Sequence, residues 1–148
     1  MMMLDQVRRR APCFDVLHFH IDAFQLPLFH DMARRTLTTL HGRQDLPDLE
    51  PLYRAFADMP LVSISEAQRR PIPDANFVGT VHDGLPRDLY TPNCDPRGGY
   101  VTFLGRISSE KRPDRAIAIA RSLGLPLKIA AKIDRVDEAY FREPWRHC

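Results

Sequence analysis

The chain has 148 residues, of which 44% are hydrophobic and 27% are charged, as in an ordinary globular protein. A net charge of +2 gives no bulk attraction for nucleic acid, and no apolar run is long enough to span a membrane. The three cysteines lie far apart, which argues against a disulfide framework and a Cys-x-x-Cys metal site and favours a cytoplasmic protein.

Short apolar strands alternate with helices along the chain. Strands are predicted over residues 14–20, 36–41, 61–65, 76–81, 100–104 and 127–131. Helices are predicted over residues 27–35, 47–59 and 66–70, and from residue 113 to Gly124. This alternation predicts an α/β fold with a mostly parallel sheet, in which ligands bind at the carboxyl ends of the strands.

The loop after the strand at residues 100–104 carries two cations, Arg106 and Lys111, and a helix begins after it at Pro113. Helix N-termini offer unpaired N–H groups to phosphate, and nearby cations add to this attraction. The pair is therefore interpreted as an electrostatic clamp on a diphosphate. The alternative is two solvated cations, one of them paired with Glu110. Dinucleotide and P-loop motifs are absent from the sequence.

The run His18-Phe19-His20-Ile21-Asp22 places two imidazoles and a carboxylate at alternate positions, which share one face of a strand. These groups are zinc ligands, so a metal-dependent hydrolase using His18, His20 and Asp22 is one hypothesis. No further ligand at a suitable spacing supports it, and we expect no metal. The interpretation that we favour is a substrate contact for His20, with His18 as a partly buried core residue.

Two further strand ends carry candidate substrate contacts. His41 and Gly42 end the second strand, where the glycine either permits close approach of a ligand or simply ends the strand. Ser65 ends the third strand and precedes a short helix, so it is also predicted to be the N-cap. The glycines of a nucleophile elbow do not flank this serine.

Six segments, in their order along the chain, resemble the motifs of the retaining glycosyltransferases of family 4. They are residues 14–20 (FDVLHFH), 38–42 (TTLHG), 62–68 (VSISEAQ), 81–85 (VHDGL), 103–111 (FLGRISSEK) and 127–132 (LKIAAK). The resemblance covers residues 11–144 and implies a GT-B-like fold of two Rossmann-like parallel-sheet domains, both incomplete here. Residues 1–85 are then the C-terminal part of the acceptor-side domain, and residues 86–148 are the N-terminal part of the donor-binding domain.

The resemblance implies transfer of a sugar (the hexosyltransferase class) from a nucleotide-sugar donor to an acceptor, with retention and without a cofactor. Arg106 and Lys111 match the pair that binds the diphosphate of the donor. Gly105 matches a glycine that lets the backbone approach the phosphates, and His20 matches a histidine near the transferred sugar. The acceptor is expected to be a sugar, a lipid-linked glycan or a small molecule.

The sequence departs from the family pattern in four respects. It contains neither the glycine-rich loop nor the pair of glutamates of the family, so an inactive truncated glycosyltransferase fragment is the alternative expectation. Asp83 stands where the family usually has Asn, and Arg112 stands where it usually has Gly.

Overall fold

A computed structural model describes residues 2–95 and 98–142 of the chain, which forms two compact units. Unit 1 is Met1–Tyr90 and unit 2 is Thr91–Cys148. The motifs in the sequence place a domain boundary after residue 85, five residues before this division.

Both units contain parallel β-sheet. In unit 1 four strands pair in sequence order, namely β1 (Leu17–Phe19), β2 (Thr36–Thr39), β3 (Leu61–Ser63) and β4 (Phe77–Thr80). In unit 2 β5 (Val101–Arg106) pairs with β6 (Leu127–Lys132) along its whole length. The prediction of a mixed α/β fold with parallel strands is confirmed, and the carboxyl ends of the strands in each sheet therefore share one edge.

The α-helices are α1 (Met2–Arg10), α2 (Leu26–Phe29), α3 (Leu49–Ala55), α4 (Glu66–Arg69), α5 (Pro113–Ser122) and α6 (Glu138–Arg142). Short 3₁₀ helices occupy Ala11–Cys13, His30–Arg35 and Arg135–Asp137. The helix predicted over residues 27–35 is thus a short α-helix followed by a 3₁₀ segment, and the one predicted over 47–59 is limited to α3. The strand predicted over residues 14–20 begins later, because the N–H of Phe14 donates to the carbonyl of Ala11 and closes the 3₁₀ turn.

Helix α1 was not among the predicted elements. Its Leu4 is buried, while Arg8 donates two hydrogen bonds of 2.7 and 2.6 Å to the carboxylate of Asp31. Arg9 and Asp5 form an ion pair one turn apart on the exposed face, with 3.1 Å between the charged atoms. The helix is therefore fixed to unit 1 by Leu4, by the partly buried Val7 and by the bidentate ion pair.

Among the residues that the structure describes, most of the buried apolar side chains lie in unit 1. Leu26 and Phe29 of α2, together with Leu40 after β2, are fully buried against the sheet. In unit 2 the sheet is thinly covered, since Leu104 is 83% exposed and Ile129 is 44% exposed. We therefore expect unit 1 to supply most of the hydrophobic stabilisation of the chain.

Candidate functional site

The candidate residues of unit 1 lie at the carboxyl edge of its sheet. His20 follows β1 directly, and His41 follows β2 by two residues. The Nδ1 atom of His20 lies 2.8 Å from the Nε2 atom of His41, and the two ring planes differ by 24°. The sequence predicts each histidine as a separate substrate contact, and the parallel pairing of β1 with β2 joins them by a hydrogen bond.

His18 lies on the exposed face of β1, so its interpretation as a core residue is wrong. Its Nε2 atom is 2.9 Å from the hydroxyl of Thr39, and its ring centroid is 4.4 Å from that of His20. Partial loss of hydration around the ring lowers the pKa of His18, and repulsion from His20 and His41 lowers it further. His18, His20 and His41 together are called the histidine cluster below.

Asp22 explains the glycine at position 42. The Oδ1 atom of Asp22 accepts hydrogen bonds from the N–H groups of His41 and Gly42, at 3.4 and 3.3 Å. A Cβ atom on residue 42 would lie 3.2 Å from Oδ2 of Asp22. Gly42 thus allows close approach of a carboxylate of the same chain, and it is this carboxylate that fills the space above the glycine.

Ser65 is the N-cap of α4, as predicted, because its hydroxyl oxygen accepts a hydrogen bond of 3.2 Å from the N–H of Gln68. The side-chain amide of Gln68 donates to the carbonyls of Leu40 and Gly42, at 3.1 and 2.8 Å. Gln68 therefore joins the start of α4 to the end of β2. The spacing Ser-x-x-Gln is the signature of a capping box, a local pattern from which Gln68 can be identified in the sequence.

The three candidate substrate contacts His41, Gly42 and Ser65 line one open cleft of about 350 Å³. Gln68 and an ion pair of 2.6 Å between Arg43 and Asp45 complete its polar lining. The structure thus brings these contacts together, and the hydroxyl of Ser65 is able to donate a hydrogen bond to a hydroxyl-rich ligand.

In unit 2, Arg106 ends β5 and is surrounded by carboxylates. Its guanidinium nitrogens lie 3.6 Å from Glu110, 3.5 Å from Asp134 and 3.9 Å from Asp137. The alternative that Glu110 pairs with a cation of this loop is thus confirmed for Arg106. Asp134 and Asp137 were missed, although both follow β6, whose carboxyl end lies beside that of β5.

Lys111 lies in a tight turn just before α5. Its N–H donates to the carbonyl of Ser108, and its side chain is exposed, with no ion-pair partner among residues 2–95 and 98–142. The next residue, Arg112, has φ 53° and ψ 55°, in the left-handed region. At Gly105 an added Cβ would make only ordinary contact with Phe103, so the packing of the chain does not itself require glycine there.

A metal centre gains no support from this geometry. Across the described ranges, 2–95 and 98–142, no three His, Cys, Asp or Glu side chains are arranged to hold a metal ion. Asp22 turns towards the backbone of His41 and Gly42 and does not join His18 and His20. The metal-dependent hydrolase therefore stays a hypothesis that no contact of these residues favours.

A scan of the chain against protein-family models finds no match, and a search of the curated proteins also finds none. No helix in the described part of the chain has the length and apolar character needed to cross a membrane. The resemblance to the family 4 glycosyltransferases therefore stays a prediction.

Proposed function

We propose that this chain belongs to a retaining glycosyltransferase, which transfers a sugar from a nucleoside diphosphate sugar to an acceptor. In this proposal unit 1 is the C-terminal part of an acceptor-side Rossmann-like domain, and unit 2 is the N-terminal part of a donor-binding Rossmann-like domain. The observation that carries the proposal is the loop between β5 and α5. It has Arg106 at the carboxyl end of a parallel strand and Lys111 two residues before the helix begins.

The chemistry of glycosyl transfer requires positive charge at such a loop. As the bond between the sugar and the phosphate breaks, its electron pair leaves with the diphosphate. Fixed cations stabilise the charge that develops there, without a metal ion. Arg106 supplies a planar fork for two phosphate oxygens, and Lys111 supplies a mobile point charge.

The carboxylates around Arg106 are compatible with an exchangeable phosphate. At 3.5–3.9 Å, Glu110, Asp134 and Asp137 form loose ion pairs with Arg106, which are longer than charge-assisted hydrogen bonds of about 2.7–2.9 Å. A diphosphate oxygen at the shorter distance from the guanidinium of Arg106 interacts with it more strongly than the carboxylate that it replaces. Exposure of the side chain of Arg106, at 41%, leaves room for this exchange.

The remaining roles in the proposal belong to unit 1. His20 lies near the sugar that is transferred, and the cleft lined by His41, Gly42 and Ser65 holds the hydroxyl-bearing end of the acceptor. The exposed imidazole of His20 and the polar lining of the cleft support these roles. The side chains described above favour no second function.

Calorimetric titration of the full chain with UDP and with GDP tests the proposal. We expect saturable binding of at least one nucleotide. Arg106→Ala and Lys111→Ala should each weaken it by about tenfold or more, the worth of a charge-assisted hydrogen bond. The matched control is Arg121→Ala, which removes an exposed cation from the last turn of α5 and should leave the affinity unchanged. Equal affinities for Arg106→Ala and Arg121→Ala would refute the clamp.

A further inference from the structure

A carboxylate extends the hydrogen-bonded pair of histidines in unit 1. The Oδ1 atom of Asp83 lies 3.6 Å from Nδ1 of His41, whose Nε2 lies 2.8 Å from Nδ1 of His20. The pairing of β1 with β2 places His20 beside His41, and the loop that follows β4 carries Asp83 to the same edge of the sheet. Two further titratable groups lie nearby, namely His18, whose ring is 4.4 Å from that of His20, and Asp22, which contacts the backbone N–H of His41.

The positions of the protons follow from this order. A hydrogen bond between two imidazole nitrogens holds one proton, so one nitrogen donates it and the other accepts it. The carboxylate of Asp83 favours the proton of His41 on Nδ1, the nitrogen that faces it. Nε2 of His41 is then the acceptor, and Nδ1 of His20 is the donor. Nε2 of His20 is left with a free lone pair on an exposed side chain.

We propose that Asp83, His41 and His20 form a proton-accepting relay for a hydroxyl group of a bound alcohol. The alcohol oxygen bonds to an electrophilic carbon through its lone pair, and the leaving group departs from that carbon with the electron pair of the broken bond. In the same step the O–H bond breaks, its electron pair stays on the oxygen, and the proton binds to Nε2 of His20. The positive charge of the resulting imidazolium is stabilised through His41 by the carboxylate of Asp83. His20 is the group that touches the alcohol, and His41 and Asp83 are positioning residues.

The charge at position 83 decides whether the relay works. An asparagine has the same shape as Asp83 but carries no charge to hold a proton on Nδ1 of His41 or to stabilise an imidazolium. Asp83→Asn therefore removes the charge without removing the side chain. The relay lies within unit 1 and does not depend on Arg106 or Lys111, so it and the diphosphate clamp stand or fall separately.

The test combines ring-nitrogen NMR of the full chain, above the pH range of histidine titration, with chemical modification. The relay predicts a proton on Nδ1 and none on Nε2 for both His20 and His41. His82 is the internal reference for this pattern, because its Nδ1 lies 2.9 Å from the carbonyl of Ile64, which only accepts. The rate at which diethyl pyrocarbonate modifies His20 then reports the availability of the lone pair on its Nε2 atom. Nε2 attacks one carbonyl carbon, an ethyl carbonate group leaves with the electron pair, and Nδ1 loses its proton.

Asp83→Asn should slow modification of His20, followed by mass spectrometry, by about two- to fivefold, as expected for an exposed ion pair. The matched control is Asp58→Asn, which removes the carboxylate 2.8 Å from His30 and should leave the rate at His20 unchanged. Unchanged backbone amide signals away from positions 58 and 83 report an intact fold in both variants. A proton on Nε2 of His20 in the wild type, or equal rates at His20 in both variants, would overturn the proposal.

Discussion

Replacement of Arg112 tests the backbone before α5, where the family that the sequence resembles usually has glycine. Arg112 has φ 53° and ψ 55°, a left-handed conformation that costs a residue with a Cβ atom about 1–2 kcal/mol. Its guanidinium also donates hydrogen bonds to Asp114, the shortest of 2.6 Å. These bonds hold the pKa of Asp114 at about 2. A single substitution therefore changes two interactions at once.

Comparison of Arg112→Gly with Arg112→Ala isolates the backbone. Both variants lose the guanidinium, and only alanine keeps the steric cost of a positive φ. The greater conformational freedom of glycine in the unfolded chain offsets about 0.4–1 kcal/mol of this steric difference. We therefore expect the glycine variant to be more stable than the alanine variant by about 0.5–1 kcal/mol.

Urea unfolding of the full chain, followed through amide hydrogen exchange in α5, measures this difference within unit 2. The N–H of Arg115, which donates to the carbonyl of Arg112, reports the first turn of the helix. An alanine variant as stable as the glycine variant would show that the backbone at position 112 carries no left-handed strain.

Three further substitutions test the contacts of unit 1 by urea unfolding. Gly42→Ala should lower the free energy of unfolding by about 1 kcal/mol, because the new Cβ crowds the carboxylate of Asp22. An unchanged urea midpoint would contradict this. Tyr53→Phe should cost about 1–2 kcal/mol, because the buried Oε1 of Gln44 loses its donor at 2.9 Å; no loss would refute that bond. Folding lowers the pKa of His18 below 6.5, so the free energy of unfolding should fall as the pH drops below about 6.5. This fall should be smaller in His18→Gln. If the free energy of unfolding changed equally with pH in the two proteins, His18 would not be the cause.

Local signals in the sequence predict the elements whose ends depend on their own residues. Pro113 begins α5 and Ser65 caps α4, as proline at the first helical position and serine before a helix indicate. Helix α1 was missed because its attachment depends on Asp31, 23 residues from Arg8. No periodicity in a short segment reports a contact at that distance.

The same limit applies to the candidate sites. The motifs identify Arg106 and His20 singly, because each residue follows a recognisable strand. Sequence patterns do not show that Asp134 faces Arg106, since this contact requires the register of β5 on β6. The hydrogen bond between His20 and His41 likewise requires β1 to pair with β2. Strand pairing therefore adds the partners that convert separate candidates into a cluster.

The central claim is that the loop from Gly105 to Asp114 binds the diphosphate of a sugar nucleotide. An NMR titration of the full chain with UDP, and in parallel with uridine, tests it residue by residue. The claim predicts saturable shifts of the Lys111 and Arg112 amides and of the Arg106 guanidinium with UDP, and none with uridine. Equal shifts with both ligands, or no shift in this loop, would contradict it.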